Sequence, residues 1–322
     1  MKSLVLQGSL NRLWKLITVG YSSRENIKIH EILTTYYNKN PLTKFVELIQ
    51  NFPSSNKQVL IATGFPISRK LKPETDGPLG AMALAKIFDL LGYSIDIVTD
   101  RLYMRVIESL LSLLKLRVKM IHIIPPQSEP YSKKLDTLLD FSSFDLAVAV
   151  EAPAPNIAGI YHNMHGFDIT PIAGNFGLLF NILSSNNVMT IGIGDGGNEI
   201  GMGKIRKLLY EQDVVPFGRV CRCPCKKGIL SAVETDYLLS AATSNFGAYA
   251  LCAILAAKFN LDFFPTLEDE EKMLRVAIES GAIDGITEKP ELKVDGIPCE
   301  TIKTVIEKMR DLYVEMKKAF TS

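Results

Sequence analysis

Thr190-Ile-Gly-Ile-Gly-Asp-Gly-Gly-Asn-Glu-Ile-Gly-Met-Gly203 is an apolar run that breaks into glycine and acid before a helical pattern resumes. Its first half, residues 188–193, reads as a buried strand. The glycines that follow, with Asp195, Asn198 and Glu199 among them, predict a turn where backbone approaches a ligand closely and carboxylates project beside it. The spacing Gly192-x-Gly194-x-x-Gly197 also matches the dinucleotide fingerprint. Against that reading, Asp195 lies inside the run and Glu199 follows within one turn, and two carboxylates repel a pyrophosphate. A divalent cation on hard oxygen ligands accounts for the same residues better. The plainest alternative is a glycine-rich turn whose acids cap the next helix.

Outward from this stretch the chain alternates. Residues 58–62, 94–98, 118–124 and 144–150 read as strands, and residues 80–91, 104–116, 132–139 and 175–183 as helices. Downstream come a helix over 200–212, a weaker strand over 229–233, and a long, nearly uncharged helix over 238–259 that is expected to be buried on most faces. Amphipathic helices over 267–279 and 299–319 close the chain. Strands regularly separated by helices predict an α/β fold, a mostly parallel sheet with helices on both faces. Residues 1–55 read as helices alone, an N-terminal helical extension ahead of an α/β domain spanning 56–322.

With 322 residues, 47% of them hydrophobic, the chain can bury a large core. A formal charge of +1 argues against a nucleic-acid or membrane-surface role, and no apolar run is long enough to span a membrane. Five cysteines fit a reducing cytoplasm, although the absence of acids before Glu25 faintly resembles a transit peptide. Cys221-Arg-Cys-Pro-Cys225 could contribute to a zinc site, but no fourth ligand follows at a usual spacing, and reduced loop cysteines are the preferred reading.

Parallel α/β sheets place their sites beyond the carboxyl ends of the strands, and acids gather there. Glu74 and Asp76 follow the first strand, Asp100 the second, Glu151 the strand ending at Val150, Asp195 and Glu199 the glycine-rich strand, and Glu234 and Asp236 the weak one. Such a cluster cannot stay dry and ionised without a cation. With histidine scarce, Mn²⁺ or Mg²⁺ suits it better than zinc. For Asp76, which precedes Gly77-Pro78 and a helix, simple capping is a strong alternative. Asn245, alone in an apolar helix, is either a group satisfied by backbone or a substrate contact.

Several runs together resemble the D-glutamate cyclase C-terminal-like domain family: Thr63-Gly-Phe65, Glu74-Thr-Asp-Gly-Pro-Leu-Gly80, Tyr161-x-Asn-Met-x-Gly-x-Asp168, the glycine-rich run itself, Thr235-Asp236 and Ser244-Asn-Phe-Gly-Ala-Tyr249. The likeness covers roughly residues 57–298. Phe246 stands where tryptophan is more usual, and the three-thiol loop is not a feature of the family pattern. The resemblance implies a stand-alone form of a domain that longer mitochondrial enzymes join to another, in a lyase that converts D-glutamate to 5-oxo-D-proline and water. On that reading Asp76, Glu151, Asp195 and Glu199 hold Mn²⁺ or Mg²⁺, Asp236 accepts the ammonium proton, a metal-bound water or His162 protonates the departing oxygen, and Glu199 assists catalysis. Arg69, Asn163, Asn198 and Asn245 contact a small anionic substrate. The rivals are a Mn²⁺- or Mg²⁺-dependent phosphatase, a hydrolase in which Arg69 and the amides of 194–203 hold the phosphoryl group, and a binding module without turnover. Neither nucleic acid nor membrane is an expected partner; self-association into a homo-oligomer stays open.

Overall fold

Most of the strands are continuous apolar runs because both faces of the sheet are covered along its middle. In the computed structural model, which describes residues 2–21, 24–52, 57–67, 70–129 and 140–321, six of them form one parallel sheet. They are β1 (Gln58–Thr63), β2 (Ser94–Thr99), β3 (Met120–Ile123), β4 (Leu146–Val150), β5 (Met189–Gly194) and β6 (Tyr237–Ser240), in the order β3-β2-β1-β4-β5-β6. This is the doubly wound arrangement, and the chain reverses direction across the sheet between β1 and β4.

Register explains the two faces. Ile121, Ile97, Ile61, Val148, Ile191 and Tyr237 stand side by side across all six strands. That row of large side chains faces the larger core, built with α4 (Pro78–Leu90), α5 (Met104–Leu114) and α8 (Ser244–Lys258). In the next row Ala62, Ala149 and Gly192 follow one another and point to the opposite face, covered by α6 (Phe176–Ser185). Small residues there let a loop lie flat on the sheet: a Cβ on Gly192 would meet the Ile200 carbonyl at 2.4 Å. The glycine-rich segment therefore turns back beneath its own strand before α7 (Arg206–Gln212) begins.

Residues read as an N-terminal extension join the same core. Leu10, Leu13 and Ile17 of α1 (Lys2–Thr18) and Leu42 and Phe45 of α3 (Pro41–Leu48) are buried with the sheet residues. From α2 (Arg24–Tyr37), the Tyr37 hydroxyl accepts from the Leu238 N–H at 2.8 Å and donates to the Leu238 carbonyl at 3.1 Å. That satisfies the free edge of β6, which would otherwise offer unpaired backbone to another chain. α9 (Leu267–Glu279) and α10 (Cys299–Thr321) complete the chain, with α8 wedged between α4 and α10 and buried from Ser244 to Ala257.

Two expectations are corrected here. Residues 229–233 form no strand; the sixth strand is Tyr237–Ser240, at the start of the segment read as one helix from 238. Four buried residues without alternation, followed directly by a buried helix, leave periodicity nothing to separate. The helix expected over 200–212 begins only at Arg206, because the preceding residues make the turn beneath β5. The helix expected over 132–139 lies outside the described residues.

Candidate active site

The crevice between the carboxyl ends of β1 and β4 is filled from four directions. From β1 the chain runs through Glu74 and Asp76 into α4. Asp76 is buried, and its carboxylate accepts the N–H groups of Ser244 at 2.7 Å and Asn245 at 2.9 Å. It thus caps α8, not the α4 that follows it in sequence. Asn245 returns the contact: its Oδ1 accepts from Gly77 N at 3.0 Å and Gly80 N at 2.8 Å, and its Nδ2 donates to the Thr75 carbonyl at 3.1 Å. Gly77 has φ +96, and a Cβ there would lie 2.7 Å from Glu151 Cβ, so only glycine lets the loop and Glu151 come together.

Glu151, the residue after β4, lies in the left-handed region, φ 46, a strained conformation for a non-glycine residue of the kind that gathers at functional sites. Its side chain is buried and accepts the Ser244 hydroxyl at 2.6 Å. The amino end of α8 therefore faces two carboxylates, where its dipole is favourable to negative charge.

From β5 come Asp195 and Glu199. Glu199 folds back over its own loop: Oε1 accepts from Gly196 N at 2.6 Å, and Oε2 from Gly197 N at 2.8 Å. The amides that a phosphate cradle would use are occupied by the protein's own carboxylate. Asn198, a residue of the central cavity's wall, donates to the His162 carbonyl at 2.8 Å, while its Oδ1 is buried and unpartnered among the described residues.

Asp295, which sequence reasoning missed, arrives from a hairpin between α9 and α10, where Lys293–Val294 pairs with Ile297–Pro298. Val-Asp-Gly-Ile is an Asp-Gly hairpin signal, legible as a turn but not as part of a site. Glu74, noted as a strand-end acid but not assigned as a ligand, faces the same place: a Cβ on Gly285 would touch Asp295 Oδ1 at 2.8 Å and Glu74 Oε2 at 3.0 Å.

Two sets of carboxylates, Asp76 with Asp195 and Asp295, and Glu151 with Asp195 and Glu199, each present oxygens within 4.8 Å of one another. Glu151, Asp195, Glu199 and Asp295 border a cavity of about 330 Å³, the size of a small-molecule site. No lysine or arginine is among its described lining residues. Burial first, and mutual repulsion after it, push Glu74, Glu151, Asp195 and Asp295 well above the usual carboxylate range. Burial also raises Glu199, and it lifts Asp76 to about 6 against the pull of its backbone hydrogen bonds. An all-oxygen donor set carrying this much unbalanced negative charge fits a hard divalent cation.

The structure thus brings Asp76, Glu151, Asp195 and Glu199 together, with Asn198 and Asn163 in the cavity wall. Three other expectations are corrected. Asp236 lies at the amino end of β6, and its Oδ2 accepts both the N–H and the hydroxyl of Thr190, at 2.8 and 2.9 Å, at the edge of the sheet opposite the cavity. The cause is the misplaced strand, which made an acid before a strand look like an acid after one. Asn245 has its amide groups engaged by the 75–80 loop and holds that loop in place of a substrate. His162 has both ring nitrogens engaged away from the carboxylates, Nδ1 with the Ile160 carbonyl at 3.0 Å and Nε2 with Cys223 Sγ at 3.2 Å. Arg69 lies outside the described residues.

A doubly wound α/β domain with a buried carboxylate centre at its switch point is the class these features define. The family model described as D-glutamate cyclase-like, C-terminal matches residues 25–310, so the likeness reaches back into α2, and the chain belongs to that family. It is similar to the mitochondrial D-glutamate cyclase of Homo sapiens, 27% identical over 296 residues that cover 80% of this chain and 46% of that protein. The chain spans less than half the length of this curated relative. No helix among the described residues is long and apolar enough to cross a membrane.

Proposed function

We propose that this chain binds Mn²⁺ or Mg²⁺ on Asp76, Glu151, Asp195 and Glu199, with Asp295 beside them, and cyclises D-glutamate to 5-oxo-D-proline with loss of water. The charge imbalance of the cavity carries the reading: Glu74, Glu151, Asp195, Glu199 and Asp295 line it without a described lysine or arginine. A dicarboxylate substrate enters such a cavity only together with a cation, whereas its ammonium group is attracted by the acids themselves. When bound, the cation lets the carboxylates ionise together and polarises a substrate carboxyl group.

The chain's own residues supply orientation and proton transfer. Asn163 and Asn198 stand in the wall as polar contacts. Glu74 lines the cavity beside Asp295, and burial and that neighbour raise its proton affinity above that of an ordinary carboxylate, which suits it to take a proton from the substrate ammonium. The freed amine attacks the γ-carbon, a C–N bond forms, and one γ-oxygen departs as water carrying the two protons the nitrogen loses. Holding amine and carboxyl face to face is the main requirement of such an intramolecular step. A phosphate ester finds less here, since Glu199 occupies the glycine-loop amides at 196 and 197.

Incubation of the purified chain with D-glutamate and Mn²⁺ or Mg²⁺, followed by chromatography for 5-oxoproline, tests the proposal. Product that disappears with EDTA is expected. Phosphate release from an ester panel without any lactam favours the phosphatase, thermal stabilisation by D-glutamate without turnover favours a binding module, and turnover insensitive to EDTA contradicts the metal role.

A further inference from the structure

Residues 213–236, between α7 and β6, form no regular element, yet they are tied down at many points. Val214, Val215, Ile229 and Leu230 are buried, Arg222 N donates to the Gly166 carbonyl, and Ser231 N donates to the Gly197 carbonyl. A loop of this length inside a compact domain needs something to hold it. At its centre the three thiols converge: Cys221 and Cys223 lie 3.5 Å apart, Cys221 and Cys225 3.3 Å, and Cys223 and Cys225 3.1 Å, sulfur to sulfur. His162, 61 residues before Cys223, brings Nε2 to 3.2 Å from the Cys223 sulfur and 3.9 Å from that of Cys225. All four donor atoms fall within 4.8 Å of one another.

We infer that His162, Cys221, Cys223 and Cys225 bind a structural zinc ion. Three thiolates and an imidazole are a complete tetrahedral set for this metal; Zn–S bonds of about 2.3 Å with a Zn–N bond of about 2.0 Å give edges of roughly 3.5–3.8 Å, so the sulfurs, at 3.1–3.5 Å, need to spread by only a few tenths of an ångström to receive it. The surrounding groups are arranged as for ligands. A carbonyl can only accept, so the Ile160 contact places the imidazole proton on Nδ1 and leaves the Nε2 lone pair facing the sulfurs. Cys225 N donates to Cys223 Sγ at 3.4 Å, and Asn156 Nδ2 reaches Cys225 Sγ at 3.4 Å while donating to the Gly228 carbonyl at 2.7 Å. Cys221, Cys223 and His162 are buried, and four protein ligands leave no open position, so the metal is structural. A disulfide requires one pair of sulfurs at about 2.0 Å and excludes the third, whereas here all three surround one point with the imidazole. Zinc would staple the 213–236 loop to the segment carrying Asn163, Met164 and His165, which line the carboxylate cavity. The inference stands independently of the reaction proposed for that cavity.

Elemental analysis of the full chain, purified without chelator and passed through gel filtration, should find one zinc per chain. Asp195→Asn should keep it and Cys225→Ser should lose it. In the unaltered protein, a mercurial titrating thiols should release zinc in proportion, and all five cysteines should react with a thiol reagent once the chain is denatured in EDTA. Exchange with Co²⁺ should give the intense visible bands of a tetrahedral ion together with thiolate-to-cobalt charge transfer. Failure to take up zinc or cobalt even after refolding with excess metal, a count two thiols short without reductant, or zinc retained in Cys225→Ser and lost in Asp195→Asn overturns the assignment.

Discussion

Asp195 belongs to both carboxylate groups, beside Asp76 and Asp295 on one side and Glu151 and Glu199 on the other. Repulsion therefore concentrates on it when no cation is present. Asp195→Asn keeps the shape, removes one buried charge and offers N–H donors to the remaining acids. The variant should be more stable than the unaltered chain in EDTA, by on the order of 1–3 kcal/mol. It should show no further rise with Mn²⁺, whereas the unaltered chain does. Thermal unfolding with and without the metal reads both effects; a variant less stable in EDTA, or one still stabilised by Mn²⁺, removes Asp195 from the centre. Glu151 and Asp195 were legible because each directly follows a strand whose apolar run is unmistakable, and Asp76 and Glu199 because they lie in the segments that leave β1 and β5. Asp295 was not, since it is delivered by a hairpin excursion after the last crossover, and no rule of strand ends points to it. His162 could not be joined to the thiols because their proximity depends on how two loops pack across the fold.

Among the elements, α8 and α9 meet at a buried pair, where the Tyr249 hydroxyl donates to Glu270 Oε2 at 2.5 Å. Burial raises Glu270 from 4.5 to about 7. Between those values the unfolded chain ionises this group while the folded chain keeps its proton, so the folded state binds more protons and stability falls as pH rises. Glu270→Gln can still accept from Tyr249 but does not titrate. Relative to the variant, the unaltered protein should lose on the order of 3 kcal/mol of stability between about pH 4.5 and about pH 8. Denaturant midpoints of the two proteins across that range give the comparison, and parallel curves would contradict it. The same elements mark the limit of reading patterns. Strands β1, β2, β4 and β5 were found to within about two residues, as isolated apolar runs between helices. Tyr237–Ser240 disappeared into the apolar segment of α8, and one lost strand was enough to carry Asp236 to the wrong end of the sheet.

At the scale of the whole molecule, the order β3-β2-β1-β4-β5-β6 makes the carboxylates a single titrating unit. The alternation of strands and helices announced a parallel sheet, but not which strands would be neighbours; only the reversal between β1 and β4 sets Asp76 against Glu151. Their shared elevation has a consequence for pH. In the metal-free protein these groups retain protons that the unfolded chain gives up, so stability present at low pH is lost as pH rises through their raised values, from about 6 for Asp76 upward. Cation binding requires the ionised forms and displaces those protons, so affinity should rise with pH over the same window. The gap between melting temperatures with Mn²⁺ and with EDTA should accordingly be small near pH 5 and widen toward about pH 8. Calorimetric titration in buffers of different ionisation enthalpy should register proton release. Glu270→Gln, which reaches the cluster only through the field of Asp76, would alter the separation far less than Asp195→Asn, which would collapse it. A separation independent of pH, with no protons released, would mean that the cation is held somewhere other than this cluster.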